Sequence, residues 1–186
     1  MIEIFILSLI QGIAEFLPVS SSSHLIIASE YLELEKSLSI DVSLHLGSFI
    51  AVLVYFYKDI INFYKDKILF FKIIISSIPV MSVGLIFVET NFVEKIRNIE
   101  TIAWTTLIFG ILLFISDKFK IEKTIEKDFS FKSAIFIGIL QILALIPGVS
   151  RSGIAITAAR FLKFERVDSA KISFLISIPI LGAVSI

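Results

Sequence analysis

A carboxylate, four consecutive hydroxyls and an imidazole interrupt the first apolar segment of this chain, in the stretch QGIAEFLPVSSSSH at residues 11–24. Few folds tolerate such a break, because the surroundings are not those of a soluble protein. Of the 186 residues, 56% are hydrophobic and 18% charged, and the mean hydropathy is +0.95. A soluble domain of this length carries far more polar surface, so the expected class is an all-α integral membrane protein. At membrane depth, irregular backbone survives only where protein or a wet cavity covers it. A helix entering at Ile4 places Gln11 and Glu15 on one face, four residues apart. Pro18 then disfavours further helix, and the serines offer hydroxyls and amides before Leu25 restarts the apolar pattern. The segment at residues 3–30 is expected to be a re-entrant hairpin with a polar tip.

A second broken unit follows at residues 131–161, interrupted by PGVSRSG. Between the two breaks, residues 42–57, 68–88 and 101–116 approach the roughly 17–25 residues a span needs, and residues 172–186 form a fourth apolar run. Lys plus Arg number four in residues 58–72, five in 117–132 and four in 160–171, against one in 30–41 and two in 89–100. The positive-inside rule puts the first three loops in the cytoplasm and the acidic loop of Glu30, Glu33 and Glu35 outside. Both broken units must then leave on the side they entered. The first segment is not expected to be a signal peptide, since it lacks a basic start, carries Glu3 and runs into Glu15 and Pro18 rather than a small-residue cleavage site. Zero cysteines exclude disulfides and thiolate metal sites, and a net charge of zero without a basic tract argues against nucleic acid.

Shifting the sequence by 130 residues matches Gln11 with Gln141, Ala14 with Ala144, Val19 with Val149, Ser20 with Ser150 and Ser22 with Ser152, and identities continue to Val54 with Val184. Three intervening spans invert one copy relative to the other, giving an inverted repeat with a first unit at 1–117 and a second at 131–186. Inverted repeats with broken helices place their site at the repeat interface. Continued by the same shift, the spans at 68–88 and 101–116 would recur at about 198–218 and 231–246. The second repeat is therefore expected to be incomplete, and the chain to be a truncated one that is inactive unless another chain fills the gap.

Within this frame Glu15 is expected to be functional, because an ionisable group inside a span is costly. Arg151 has the planar fork that suits phosphate, and a Pro-Gly turn adds amide donors. His24 follows the serines directly. His45, a turn into a span, fits a supporting role as well as a catalytic one.

QGIAEFLPVSSSSHL and LIPGVSRSG resemble the two signature motifs of the undecaprenyl-diphosphate phosphatase family, also called bacitracin-resistance proteins, and DVSLHLGSFIAVLVYF and SFLISIPILGA are similar to its other recurring stretches. The resemblance implies a membrane hydrolase that removes the terminal phosphate of undecaprenyl diphosphate and recycles the lipid carrier of cell-wall synthesis. It implies a multi-pass protein of the bacterial inner membrane with its active site open to the outer face, a divalent cation (Mg²⁺ or Ca²⁺), and an assembly compatible with a homodimer. By position, Ser21 matches the serine proposed as nucleophile, with His24 and Glu15 as catalytic partners. Arg151 matches the phosphate-binding arginine, with Ser150, Ser152 and Ser20 beside it, and Glu15 and Gln11 fall where a cation would bind. The chain departs from the pattern at Ala155, where a threonine is usual, and at Gln11, which removes one charge from a two-carboxylate metal site. A rival of another class, a flippase or transporter of a lipid phosphate, would use Arg151 as an anion clamp and Glu15 for proton coupling.

Overall fold

The computed structural model describes residues 2–32, 34, 38–63, 65–90 and 96–185. Among them every regular element is a helix, and the nearest approach to a sheet is an isolated parallel bridge between Lys123 and Phe164. In chain order these are α1 (Ile2–Ala14), α2 (Ser21–Tyr31), α3 (Leu38–Tyr55), α4 (Tyr57–Asn62), α5 (Lys67–Glu89), α6 (Ile99–Asp117), α7 (Ile125–Asp128), α8 (Phe131–Gln141) running into a 3₁₀ turn (Ile142–Leu145), α9 (Arg151–Phe161) and α10 (Arg166–Val184). Three of them, α5, α6 and α10, are long and apolar enough to cross a membrane, while the apolar part of α3, Val42–Tyr55, is shorter. Glu33, Glu35, Lys36 and Lys95, used above to orient the loops, lie outside the described residues.

The two broken units are helical hairpins, α1 with α2 and α8 with α9, and in each the second helix has 11 residues. Those second helices begin at Ser21 and Arg151, the 130-residue shift that relates the two motifs. The breaks themselves sit differently from the expected ones. The first helix stops at Ala14 rather than at Pro18, and residues 15–19 form turns. In the second, the helix tightens to 3₁₀ at Ile142, and Arg151 to Gly153, expected within the interruption, already belong to α9. Pro18 and Pro147 contribute to the shift, since each disfavours the α region at the residue before it, although Pro79 and Pro179 are carried inside α5 and α10. The last apolar run likewise begins earlier than residue 172, because Glu165 starts α10 and Arg166, Asp168 and Lys171 occupy its first turns at the polar end.

The second hairpin is the centre of the core. Ala134, Ala158, Ala159, Phe164, Ile172 and Leu175 are fully shielded, packed with Ile73 of α5 and Val52 of α3. Small residues let the backbones approach: a Cβ on Gly138 of α8 would sit 2.5 Å from the Ser76 carbonyl oxygen of α5. Polar side chains on these helices are satisfied at home. Ser76 donates to Lys72 O at 2.7 Å, and Ser77 reaches both Ile73 O at 2.9 Å and Ile176 O of α10 at 3.4 Å. The outer surfaces are apolar instead, with Phe5, Ile13, Trp104, Leu107 and Phe114 each more than half exposed, as lipid-facing positions would be.

At the end of the molecule away from the hairpin tips, Arg160 of α9 is buried and caps three carbonyls. It donates to Phe164 O at 2.5 Å, Asp117 O at 2.8 Å and Phe119 O at 3.0 Å. Arg166 holds the Asp117 carboxylate with two bonds of 2.8 and 2.5 Å. This latch ties the end of α9 to the end of α6 and the loop after it.

Candidate active site

The site forms where the two tips touch. In the first, Ser20 adopts a left-handed backbone (φ 61°, ψ 91°) that a non-glycine residue takes only when its surroundings impose it. In the second, Gly148 has φ +93° and is pressed against α6, and Ser150 caps α9 by accepting the Gly153 amide at 3.1 Å. Ser152 Oγ donates to the Leu17 carbonyl at 2.8 Å and Ser150 Oγ lies 3.5 Å from the same oxygen, so the second tip holds the broken backbone of the first. Both hydroxyls, expected beside the phosphate, are engaged in joining the tips and lie 3.0 Å from each other.

Glu15 is the hub. Only 6% exposed, it receives Arg151 Nη2 on Oε1 at 2.5 Å, and on Oε2 it accepts Ser21 Oγ at 2.6 Å and Gln11 Nε2 at 3.0 Å. The i, i+4 relation of Gln11 and Glu15 is thus a direct bond, made possible because the Glu15 amide continues the helical pattern onto Gln11 O at 2.9 Å. A buried carboxylate is tolerable when it is paired and hydrogen-bonded, and this one has both. Arg151 gives only Nη2 to Glu15, leaving the rest of its fork directed elsewhere.

The two histidines separate. His45 of α3 lies with Nδ1 3.1 Å from Gln11 Nε2 and 3.9 Å from Glu15 Oε2, and Ser48, one turn on, is 3.3 Å from the same amide. His24 is exposed, with Nδ1 2.8 Å from the Ser20 carbonyl of its own helix start, and does not border the cavity. With Nδ1 donating to that carbonyl, the remaining nitrogen of His24 is the one free to act. The structure brings His45, an imidazole inside a span, next to Gln11 and Glu15, where the cost argument that singled out Glu15 applies to it as well.

A cavity of about 180 Å³ is lined by Glu15, Ser20, Ser21, Ser22, His45, Ser150 and Arg151 with an apolar wall including Val80, Leu145 and Leu181. A second of about 260 Å³ shares Ser20, Ser22, His45 and Val149 with it and extends to Arg97 and the Pro147–Gly148 turn. Thr157, two positions past Ala155, bonds to Gly153 O at 2.7 Å and is buried inside α9. Among the described residues no three His, Asp or Glu side chains gather as a cation cage. One observation does fit a hard cation: Gln11 Oε1, an amide oxygen on the side chain that touches Glu15, is buried without a hydrogen-bond partner.

The arrangement joins a hydroxyl, a carboxylate and a guanidinium in a small polar cavity walled by apolar helices, which is the equipment for acting on a phosphate carried by a lipid. Comparison with known proteins points the same way. The profile of the family described as bacitracin resistance protein BacA matches residues 4–186. The undecaprenyl-diphosphatase of Pelagibacter ubique strain HTCC1062 is 50% identical over 187 residues, covering 100% of this chain and 73% of its own length. That of Jannaschia sp. strain CCS1 is 39% identical over 197 residues, with 98% and 74% covered, and that of Aliivibrio salmonicida strain LFI1238 is 43% identical over 194, with 96% and 72% covered.

Proposed function

The chain belongs to the bacitracin resistance protein BacA family, and from that premise we propose that it is a membrane undecaprenyl-diphosphatase, hydrolysing undecaprenyl diphosphate to undecaprenyl phosphate and inorganic phosphate. The observation that carries the chemistry is the single carboxylate held between a hydroxyl and a guanidinium. In this reading Arg151 and the amides at the start of α9 take the terminal phosphate, exchanging part of the Glu15 contact for phosphate oxygens. Glu15 Oε2 accepts the proton of Ser21 as its Oγ attacks the terminal phosphorus. The Oγ–P bond forms, the anhydride P–O bond breaks, and undecaprenyl phosphate leaves with the electron pair. Once Glu15 has passed that proton to solvent, its carboxylate takes a proton from water, whose oxygen attacks the phosphorus; the Oγ–P bond breaks, inorganic phosphate leaves and Ser21 Oγ recovers the proton from Glu15. Gln11 keeps Glu15 Oε2 aimed at the hydroxyl, and His45 sits behind that pair as a proton reservoir.

A divalent cation arriving with the diphosphate would find Glu15 and the unpartnered Gln11 oxygen as protein ligands, and would offset negative charge on the phosphate oxygens. The prenyl chain finds apolar surroundings close by. A cavity of about 310 Å³ beside Phe16, the residue after Glu15, is walled by Val52, Phe56 and Phe174, with the Phe16 and Phe174 rings edge to face at 5.9 Å. The reading, resting on the family resemblance, has the protein in the bacterial inner membrane with its site opening to the outer face; the loop charges are consistent with it in that they put the loops at residues 58–72, 117–132 and 160–171 in the cytoplasm.

The test is phosphate release from undecaprenyl diphosphate by purified protein in detergent, for wild type and Ser21→Ala, with acid quenching to trap phosphoserine. Release by wild type together with a trapped phosphoserine that Ser21→Ala lacks is the expected result. Lipid translocation without any phosphate release would favour the transporter reading instead.

A further inference from the structure

The Pro147–Gly148 turn has two carbonyls that no helix satisfies, and both are met from outside the hairpin. Thr105 Oγ1 on α6 lies 2.6 Å from Pro147 O, and Thr106 Oγ1 lies 3.2 Å from Gly148 O. A threonine within a helix ordinarily returns its proton to a carbonyl one turn back, and Thr105 has that option, with Thr101 O at 2.7 Å and Ile102 O at 3.2 Å. The Pro147 carbonyl across the interface is as close an acceptor as the one in its own helix, so the hydroxyl bridges α6 and the turn. Around these two residues α6 is apolar and faces outward, Trp104, Leu107 and Ile108 all being exposed, so the hydroxyl pair is its polar contact with the site region. The turn also fits against α6 without slack: Gly148 has no room for a Cβ because the Thr105 hydroxyl and the Ile102 backbone fill that space.

The turn ends three residues before Arg151, and the same tip grips Leu17 O of the first hairpin through Ser152. The position of the guanidinium and its pairing with Glu15 therefore depend on where α6 holds the turn. We propose that Thr105 and Thr106 are positioning residues for the phosphate-binding arginine, holding the Pro147 and Gly148 carbonyls away from the cavity so that Arg151 and the first amides of α9 face it. The proposal rests on the phosphatase reading for its effect on turnover, but not for its effect on the turn.

Two measurements separate these. Thr105→Val keeps the shape and removes the hydroxyl, and Thr105→Ser keeps the hydroxyl. With a short-chain prenyl diphosphate as substrate, Thr105→Val should lower kcat/KM by on the order of tenfold or more, Thr105→Ser should stay near wild type, and most of the loss should vanish when both enzymes also carry Arg151→Lys. The second measurement needs no catalysis. The chain has no cysteine, so Val149→Cys, at a buried position on the cavity wall, reports directly on the turn. Its reaction with a water-soluble maleimide should be about tenfold faster in the Thr105→Val, Thr106→Val background. Faster labelling with no phosphate release from wild type would leave the clamp standing and remove the phosphatase reading. Unchanged labelling, or a turnover loss that simply adds to that of Arg151→Lys, would overturn the clamp.

Discussion

Glu15 has one carboxylate oxygen committed to Arg151 and the other to Ser21 and Gln11, so its charge organises three side chains at once. Glu15→Gln preserves the shape but turns an acceptor into a group with only one carbonyl, and Arg151 is left facing an amide. Phosphate release is expected to fall by about 10²–10⁴, the range for losing a positioned base, and retention of full activity across pH would remove Glu15 from the mechanism. Arg151→Lys keeps the charge and loses the fork. Loss of one preorganised donor to the phosphoryl oxygens costs about 2–4 kcal/mol, read as a drop in kcat/KM that lysine does not restore. The histidines give a sharper contrast. His45 lies within 4 Å of Glu15 while His24 is exposed and bonded to its own helix, so His45→Asn is expected to lower kcat more than His24→Asn; the reverse order in a side-by-side assay would return the proton to His24. At this scale the sequence is legible where cost reveals purpose. Glu15 and Arg151 stand out because ionisable groups at membrane depth are expensive. Which histidine faces them was not legible, because that depends on how α3 packs against α1, a relation with no local signature.

The two hairpins were readable as elements because in each a proline is joined by a serine cluster and an ionisable group, Glu15 in the first and Arg151 in the second; Pro79 and Pro179, beside serines alone, stay inside the continuous α5 and α10. Their limits were not readable to the residue. Pro147 acts on the turn before it, and the 3₁₀ stretch from Ile142 absorbs the change gradually, which moved Arg151 from the middle of a presumed loop to the first position of α9. That placement matters for chemistry, since the guanidinium now emerges at a helix N-terminus beside free amides. Neither the Thr105 and Thr106 hydroxyls nor Arg160 could have been assigned partners from spacing, because their acceptors are backbone carbonyls 41–43 residues away or across a chain reversal. The element most exposed to test is the turn. Gly148→Ala combines φ +93° with a Cβ that would overlap Thr105 and Ile102. The strain alone is worth about 1–3 kcal/mol. A lower melting temperature in detergent and reduced phosphate release should appear together, and an alanine variant with wild-type values for both would mean that the turn can relax without moving the site.

On the scale of the whole molecule, the polar tips and the Arg160 latch occupy opposite ends of α9, and they do different work. From Arg151 to Arg160 is nine residues, or ~14 Å of helix at 1.5 Å each. The guanidinium of Arg160 satisfies three carbonyls from the end of α6, the loop after it and the α9–α10 connection, all in a position shielded from solvent. Arg160→Met fills a similar space but leaves the Asp117 and Phe119 carbonyls without a side-chain donor and the Phe164 carbonyl with only Ser169 Oγ at 3.5 Å. The Asp117 carboxylate keeps Arg166, so the loss falls on the backbone rather than on an orphaned charge. Two carbonyls left unpartnered and a third weakly held, some able to rehydrate at the helix end, point to a destabilisation of about 3 kcal/mol. If the latch only maintains the fold, the variant should melt earlier and yield less folded protein, while the surviving enzyme shows an unchanged KM for the prenyl diphosphate. If α9 instead transmits displacement along its length as a rigid rod, the same variant should raise KM by moving Arg151, and it should do so before any loss of helix content is seen by circular dichroism. The close packing of Ala158 and Ala159 in the core favours the first outcome, because a helix held tightly along its middle cannot slide at one end in response to a change at the other.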